Sequence, residues 1–547
     1  MSDARPEQLR LLTPDQDNLL QAVIRALFTG DYTGVPEFLV DDIEAVRAQS
    51  RLGVEKIDVG NGILLDASAS WPLTDGPHPL IVMPAGLDKT GWRMYAGSIV
   101  RLLMRGYAVV AYSERGLAES GGALTVAGPE DVADGRAVID WALNNSELRA
   151  DPDKIGMTGI SYGSGISQLV ANADERVKAV VALSTWADLG EALYDNQTRH
   201  VRAAEQLATI GHTNSADLEI VLGEFRANNM KPVLAYAAER SPALMETIRP
   251  VPTFFTSFWH ETIFPQNQLL AYFERFPGPK RLDLAVGDHG AVEIPGVLLG
   301  VYTRTTEAAY DWFDHYLLDV DNGIDRDGIV HTEGMYTFGQ STAPNLAAWS
   351  NPMRRYHFQS PGTESSDGLL AKEPPQSFTK LIQVGTQQVR AAEALVMDGF
   401  AERLLMPKRQ KLATVDREAA GVWTTRFGFL KPQHIAGTPE VHATVKPSTE
   451  AVTLIAYLFD HNPFTGSMRI ITHAATTVKN MQPNQATAIQ LPLRAIEYQV
   501  PIGHKLAMII DTKDHFYMYD EDDPAPGGTV ILSNEHGQAY IDIPMTY

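Results

Sequence analysis

Continuous apolar runs separated by helix-spaced segments dominate the first third of the chain. Residues 80–83, 107–112 and 177–183 are such runs, without the apolar–polar alternation of a half-exposed strand. Between them, residues 92–105 and 129–144 carry helical spacing. Strands of this kind alternating with helices predict a parallel sheet covered on both faces. Ahead of it, residues 19–28 and 40–51 have helical spacing, and 54–59 and 63–71 are β-like on either side of Gly60-Asn61-Gly62, a hairpin signal. From 189 to 248 the pattern turns helical and polar, with no strand candidate. Strands resume at 253–259 and 282–286, and a helix over 306–318 closes the unit. Beyond Pro352, short β-like runs take over at 440–445, 452–459, 505–511, 529–532 and 539–543, with helical periodicity only around 389–405.

This pattern predicts four parts. Residues 1–51 form an N-terminal helical extension, and 52–188 with 250–345 an α/β catalytic domain. Residues 189–249 form a helical cap inserted into it, and 346–547 a separate antiparallel β-sandwich of jelly-roll type. The fold class is that of an α/β-hydrolase with a cap and a second, all-β domain.

Candidate chemistry sharpens that reading. Gly159-Ile160-Ser161-Tyr162-Gly163 is a G-x-S-x-G sequence between the strand-like Lys154-Ile155-Gly156-Met157-Thr158 and a helix-like segment over 164–171. In that setting the motif is a nucleophile elbow, a strained strand-to-helix turn that stands the serine hydroxyl clear of the sheet. A chain this long holds on the order of 0.2 such matches by accident at ordinary Gly and Ser usage, so the strand–turn–helix context carries the weight.

An elbow serine needs an acid and a histidine later in the chain, in that order. His289, in Gly287-Asp288-His289-Gly290 after the strand at 282–286, is the histidine placed where the base should fall, out of 15. Glu261, in the loop after 253–259, is the preferred acid, and Asp188 after the preceding strand is its rival. Asp288 is too close in sequence to turn back to the ring. The spacing predicts His289 within hydrogen-bond reach of both Ser161 and Glu261, about 2.6–3.2 Å when well formed and longer without ligand. The oxyanion hole should use the backbone N–H of Tyr162 and one from the loop after 80–83, at Leu87 or Gly86.

Composition narrows the class. The formal net charge of −22 disfavours nucleic acid and anionic membrane as partners. There is no cysteine, which excludes disulfides, thiolate metal sites and a cysteine nucleophile. No apolar run approaches the roughly 20 residues that span a bilayer, and Met1-Ser2-Asp3-Ala4-Arg5-Pro6 lacks a signal pattern, so a cytoplasmic protein is expected. The scheme needs no cofactor and no metal. The expected partner is a small-molecule ester or amide substrate, and a homo-oligomer is compatible with the composition.

Several stretches give the chain a family likeness. They are Gly159-Ile160-Ser161-Tyr162, Ser113-Glu114-Arg115-Gly116 with Ser120-Gly121-Gly122, and Asp134 with Ile139-Asp140-Trp141. Trp259-His260-Glu261, Trp312-Phe313-Asp314 with Asn322-Gly323, and Gly503-His504-Lys505-Leu506 complete the set. With these the chain resembles the X-Pro dipeptidyl-peptidase/cocaine esterase-like family (CocE/NonD) of α/β-hydrolases from about residue 54 onward. The resemblance implies a serine hydrolase whose jelly-roll domain packs on the catalytic unit. It also exposes departures. The family commonly has a tyrosine donor in the oxyanion loop, where 84–88 has none. Its acid is an aspartate where this chain has Glu261, and Ser164 stands where it usually has glycine.

Ester hydrolysis through an acyl-enzyme on Ser161 is the leading expectation. Amide cleavage, by a dipeptidyl-peptidase or acylase, is the alternative, with acyl transfer behind it. An aminopeptidase site needs a carboxylate for the substrate ammonium, for which the cap offers Glu191, Asp195 and Glu205. His200 and His212 in the cap read as core or surface, and His260 as a pocket or surface residue. Trp423, Phe427 and Tyr457 read as sandwich core rather than a ligand platform. Asp514-His515-Phe516 and 519–523 read as a solvated acidic loop rather than a calcium site.

Overall fold

In the computed structural model, the described residues are 19–211, 215–363, 365–375, 377–519, 521, 523–537 and 539–547. Two helices, α1 (Leu19–Thr29) and α2 (Glu37–Gln49), lead into an antiparallel pair, β1 (Ser50–Asp58) and β2 (Leu64–Pro72). The central sheet follows with β3 (His78–Pro84), β4 (Ala108–Tyr112), β5 (Ala150–Ile160) and β6 (Val177–Leu183), and then strands Thr253–Phe258, Lys280–Ala285, Val330–Glu333 and Gln340–Ala343. Its spatial order is β1-β2-β4-β3-β5-β6, followed by the last four in chain order. Pairing is parallel from β4 through Val330–Glu333 and antiparallel at both margins.

The unbroken apolar strands are explained by two cores, one on each face. Alternate residues of β3 divide between them: Leu80 and Val82 enter one, Ile81 and Met83 the other. β4 divides the same way, with Val110 and Tyr112 on the first face and Val109 and Ala111 on the second. The N-terminal helices complete the second core through Leu20, Val23, Leu27, Ile43 and Val46, and Phe28 meets Trp92 edge-on at 5.6 Å. The extension is therefore integral to the catalytic unit. The helix predicted over 92–105 begins as a 3-10 turn, Gly91–Tyr95, before α3 (Ala96–Met104). Helix α4 (Pro129–Asn144) and α5 (Tyr162–Ala173) cover the first face.

Helices α6 (Leu189–Leu193), α7 (Val201–Ile210), α8 (Ala216–Arg226) and α9 (Met230–Ala238) make the cap. The reading of this segment as free of strands needs correction: Tyr194–Asp195 and Thr198–Arg199 pair as a short antiparallel ribbon, too brief to leave a period in the sequence. His200 beside it is core, its Nε2 2.8 Å from Asp195 and its ring against Phe516 and Tyr517. His212 lies outside the described residues.

The C-terminal domain is a β-sandwich in which Val452–His461, buried along its whole length, pairs with Ser467–Val478 and Lys505–Asp511. Strands such as Met353–Gln359 and Ser467–Val478 escaped the sequence pattern because polar residues interrupt them. Around 389–405 only Met397–Arg403 is helical. Trp423 and Tyr457 are core, but Phe427 is 74 % exposed on a loop and is not. The loop at Asp514 is likewise not a solvated acidic loop. Asp514 is buried and accepts hydrogen bonds from the Tyr457 hydroxyl at 2.6 Å and from the N–H groups of Ala391 and Phe516. Asp520 and Asp522 lie outside the described residues. Among the described residues, no helix is long and apolar enough to cross a membrane.

Candidate active site

Four loops meet at the carboxyl ends of neighbouring strands, beside the point where the order β4-β3-β5 reverses direction. That is the place where open parallel sheets form a crevice. The elbow is the first. Ser161 follows β5, caps α5 and has φ 55° and ψ −118°, the mirror image of an ordinary extended residue. Only glycine neighbours allow the turn to close. A Cβ on Gly159 would lie 2.2 Å from the Gly163 carbonyl carbon, and one on Gly163 2.0 Å from the Pro84 carbonyl oxygen. Tyr162 and Gly163 open α5, so their N–H groups have no carbonyl partner within the helix. The Tyr162 ring is anchored by its hydroxyl, which donates to Asp131 Oδ2 at 3.0 Å and accepts from the Ala127 N–H at 2.8 Å.

The loop after β3 is the second. Gly86 was one of two candidates for the other oxyanion donor, but its N–H points at the Met94 sulfur, 3.0 Å away. The N–H of Leu87 makes no hydrogen bond among the described residues, and Leu87 lines the same cavity as Ser161 and Tyr162. A methionine eight residues downstream carries no signal in the sequence that it would engage Gly86. The Tyr95 hydroxyl ties this loop to the elbow strand, donating to the Pro84 carbonyl at 2.7 Å and accepting from the Ile160 N–H at 3.1 Å. No tyrosine hydroxyl replaces the donor missing from 84–88 in that loop itself.

The third and fourth loops bring Glu261 and His289 together. His289 Nδ1 lies 2.9 Å from Glu261 Oε1 and 3.1 Å from Oε2. The carboxylate is only 1 % exposed and the imidazole 13 %. Oε1 also accepts from the N–H groups of Ile263 and Phe264 at 3.0 and 3.1 Å, so the loop's own backbone aims the carboxylate. The rival Asp188 is engaged elsewhere. It caps α6, accepting from the Glu191 N–H at 3.0 Å. Asp288 does not turn to the ring either; it accepts from the N–H groups of Thr262, His289 and Val396 and from the Thr262 hydroxyl. Burial and the nearby Glu261 charge raise its pKa to about 6.

One expected contact is not formed. His289 Nε2 is buried and has no hydrogen-bond partner, so the Ser161 hydroxyl does not reach it here. Such bonds often tighten only when substrate is bound. With Nδ1–H donating to Glu261, the lone pair on Nε2 is the one left to accept a proton. Burial pushes the His289 pKa down, but the charge and hydrogen bond of Glu261, then Asp288 and Glu293, more than offset it and leave it raised.

Sequence reasoning missed two supports of this site. Glu293 is fully buried beneath the histidine loop and accepts from the hydroxyls of Ser184 and Thr256, while Ser184 Oγ accepts from the Gly290 N–H at 2.9 Å. Burial lifts Glu293 to about 7. Arg494, from the sandwich, is buried and donates to the Glu261 backbone carbonyl at 3.1 Å. Nothing in the sequence around Arg494 marks it, because its partner lies 233 residues away in another domain. His260, in the acid loop, is part-buried at the edge of a second pocket, with Nδ1 2.6 Å from Glu402 and Nε2 3.0 Å from the Ile471 carbonyl oxygen. Arg494→Met keeps the packing and removes the bond. We expect it to lower kcat about 10–100-fold with little change in KM, in steady-state kinetics on any turned-over ester, because it acts through the aim of Glu261.

The X-Pro dipeptidyl-peptidase (S15 family) model matches residues 61–291, which enclose Ser161, Glu261 and His289. The X-Pro dipeptidyl-peptidase C-terminal non-catalytic domain matches 324–531. No curated protein matches by sequence. Among solved structures, a CocE/NonD family hydrolase from Staphylococcus aureus is similar at 13 % identity and a TM-score of 0.69, over 90 % of this chain and 94 % of that one. An aminopeptidase from the marine sediment archaeon Thaumarchaeota archaeon is similar at 14 % identity and 0.69, over 91 % and 97 %. An alpha-amino acid ester hydrolase is similar at 16 % identity and 0.68, over 91 % and 97 %. At these identities the structural likeness shows the fold, an α/β-hydrolase unit followed by a β-sandwich. With its catalytic and C-terminal models matched in order over residues 61–291 and 324–531, the chain is a hydrolase that belongs to the X-Pro dipeptidyl-peptidase (S15) family.

Proposed function

We propose that this protein is a serine hydrolase that cleaves carboxylic esters through an acyl-enzyme on Ser161. The observations that carry the reading are the Glu261–His289 pair, whose Nε2 is left without a hydrogen-bond partner, and an elbow serine that opens into an apolar cavity. Ser161 Oγ attacks the acyl carbon while His289 Nε2 takes its proton, and the N–H groups of Tyr162 and Leu87 receive the developing oxyanion. The C–O bond to the leaving group breaks as His289 returns the proton to the departing oxygen. Water then attacks the acyl-enzyme by the same path reversed, and Glu261 stabilises the imidazolium each time.

Amide hydrolysis by an aminopeptidase route requires a carboxylate at the substrate's ammonium. Among the described residues no acid lines the cavity at Ser161. Asp195 faces His200, and Glu205 pairs with Arg226 at 2.8 Å. A panel of p-nitrophenyl esters beside X-Pro p-nitroanilides tests the choice. We expect ester turnover and kcat/KM at least about 10²-fold lower on the anilides; anilide turnover equal to or above that of the esters would replace the esterase reading with a peptidase one.

The acid limb of activity follows from His289. Its pKa is raised, so the imidazole stays protonated, and unable to act as base, to a higher pH than a free histidine at 6.5. kcat/KM is expected to fall tenfold per unit as pH drops below an apparent pKa above 6.5. That value belongs to His289 coupled with Glu261, Asp288 and Glu293 rather than to one group. A pH–rate profile that stays flat down to pH 5.5 would contradict this role of His289.

A further inference from the structure

We propose that the cap cavity takes an unsubstituted aliphatic acyl chain of about four to eight carbons, which makes the substrate a medium-chain ester without an α-amino or amide group. This rests on the esterase reading above and deepens it.

The cavity runs from Ser161 between α6, α7, α8 and α9 and measures about 130 Å³. A cavity of roughly 150 Å³ with aliphatic walls admits a benzene-sized group, so this one suits a chain of similar bulk. Among the described residues, the polar side-chain atoms of its wall, Ser161 aside, already have hydrogen-bond partners. The Tyr162 hydroxyl donates to Asp131 at 3.0 Å, Trp186 Nε1 to the Arg240 carbonyl at 2.8 Å, and the Tyr236 hydroxyl to the Thr125 carbonyl at 3.2 Å. The Tyr194 hydroxyl accepts from Lys479 at 3.3 Å. Among the described residues, the Ser161 hydroxyl is the polar side-chain group left to face a substrate, with the two oxyanion N–H groups proposed beside it. A polar or charged group carried deeper would lose its water and find no partner.

The geometry also decides which half of the ester enters. His289 returns a proton to the leaving oxygen, so the leaving group lies on the imidazole's side. His289 does not line the cavity, and Phe264, which does, stands edge-on against its ring at 5.4 Å. Leu87 and Tyr162, which supply the oxyanion donors, do line it. The cavity is therefore the acyl side.

The test is kcat/KM for p-nitrophenyl acetate, butanoate, hexanoate, octanoate and dodecanoate, together with the 2-aminohexanoate ester, which differs from hexanoate by one ammonium. We expect a rise of about fourfold per added methylene, roughly 10²-fold from acetate to hexanoate, and a fall by dodecanoate. The 2-aminohexanoate should be at least about 10²-fold slower than hexanoate. Leu222→Trp, which places bulk on the α8 wall, should lower the hexanoate-to-acetate ratio tenfold or more. A flat chain-length profile, or a 2-amino ester that outpaces hexanoate, in a protein that a fluorophosphonate labels at Ser161, would overturn the acyl assignment and leave the serine-hydrolase reading standing. No ester turnover together with no labelling would remove both.

Discussion

Glu261→Gln is expected to lower kcat by about 10³–10⁴-fold, while Asp188→Asn changes it less than about threefold. Glu261 Oε1 accepts from the N–H groups of Ile263 and Phe264 as well as facing His289 Nδ1. A glutamine at 261 keeps its carbonyl on those two N–H groups and so turns its amide toward the ring. Nδ1 must then accept, the ring proton moves to Nε2, and the base is lost where Ser161 needs it. The negative charge that stabilises the imidazolium goes with it. The corresponding acid-to-amide exchange in a serine protease triad costs about 10⁴ in kcat. Asp188 contacts the Glu191 N–H as a helix cap, a task asparagine performs equally well. Steady-state kinetics on both variants check this, with circular dichroism to show that the fold is kept. Equal losses in the two variants, or a larger loss at Asp188, would reassign the acid.

Ser161→Ala is expected to remove at least about 10⁴-fold of kcat, leaving the residual rate that an oxyanion hole and a binding cavity supply on their own. The companion variant Ser161→Gly separates chemistry from folding. Ser161 sits at φ 55° and ψ −118°, which costs a side-chain-bearing residue about 1–3 kcal/mol and costs glycine almost nothing. Ser161→Gly should therefore be as inactive as Ser161→Ala yet more stable than the parent, by about 1 kcal/mol in denaturant unfolding. A destabilised glycine variant would show that the elbow is not under the backbone strain argued for it.

The parts of the site legible in the sequence were those held by local chemistry. The Gly159–Gly163 spacing announced the turn because no larger residue fits at either glycine. The two-face burial of β3 and β4 announced a covered parallel sheet because both faces of each strand need apolar side chains. His289 stood out because glycines flank it after a buried strand. What the sequence hid depends on distant pairing. The Gly86 N–H is diverted by Met94, Arg494 reaches Glu261 from another domain, and Glu293 braces the histidine loop through Ser184. The sandwich was legible only in part, since strands such as Gly421–Thr425 and Ile496–Val500 are short and carry polar residues within them. Phe427 misled for a related reason: aromatic character predicts burial on average, and this one rides an exposed loop.

The decisive measurement is active-site titration with a fluorophosphonate followed by peptide mass mapping. One equivalent should attach at Ser161, labelling should slow as pH drops below the raised His289 pKa, and Ser161→Ala should take up none. An adduct on another residue, or undiminished ester hydrolysis by Ser161→Ala, would contradict the assignment of Ser161 as the nucleophile.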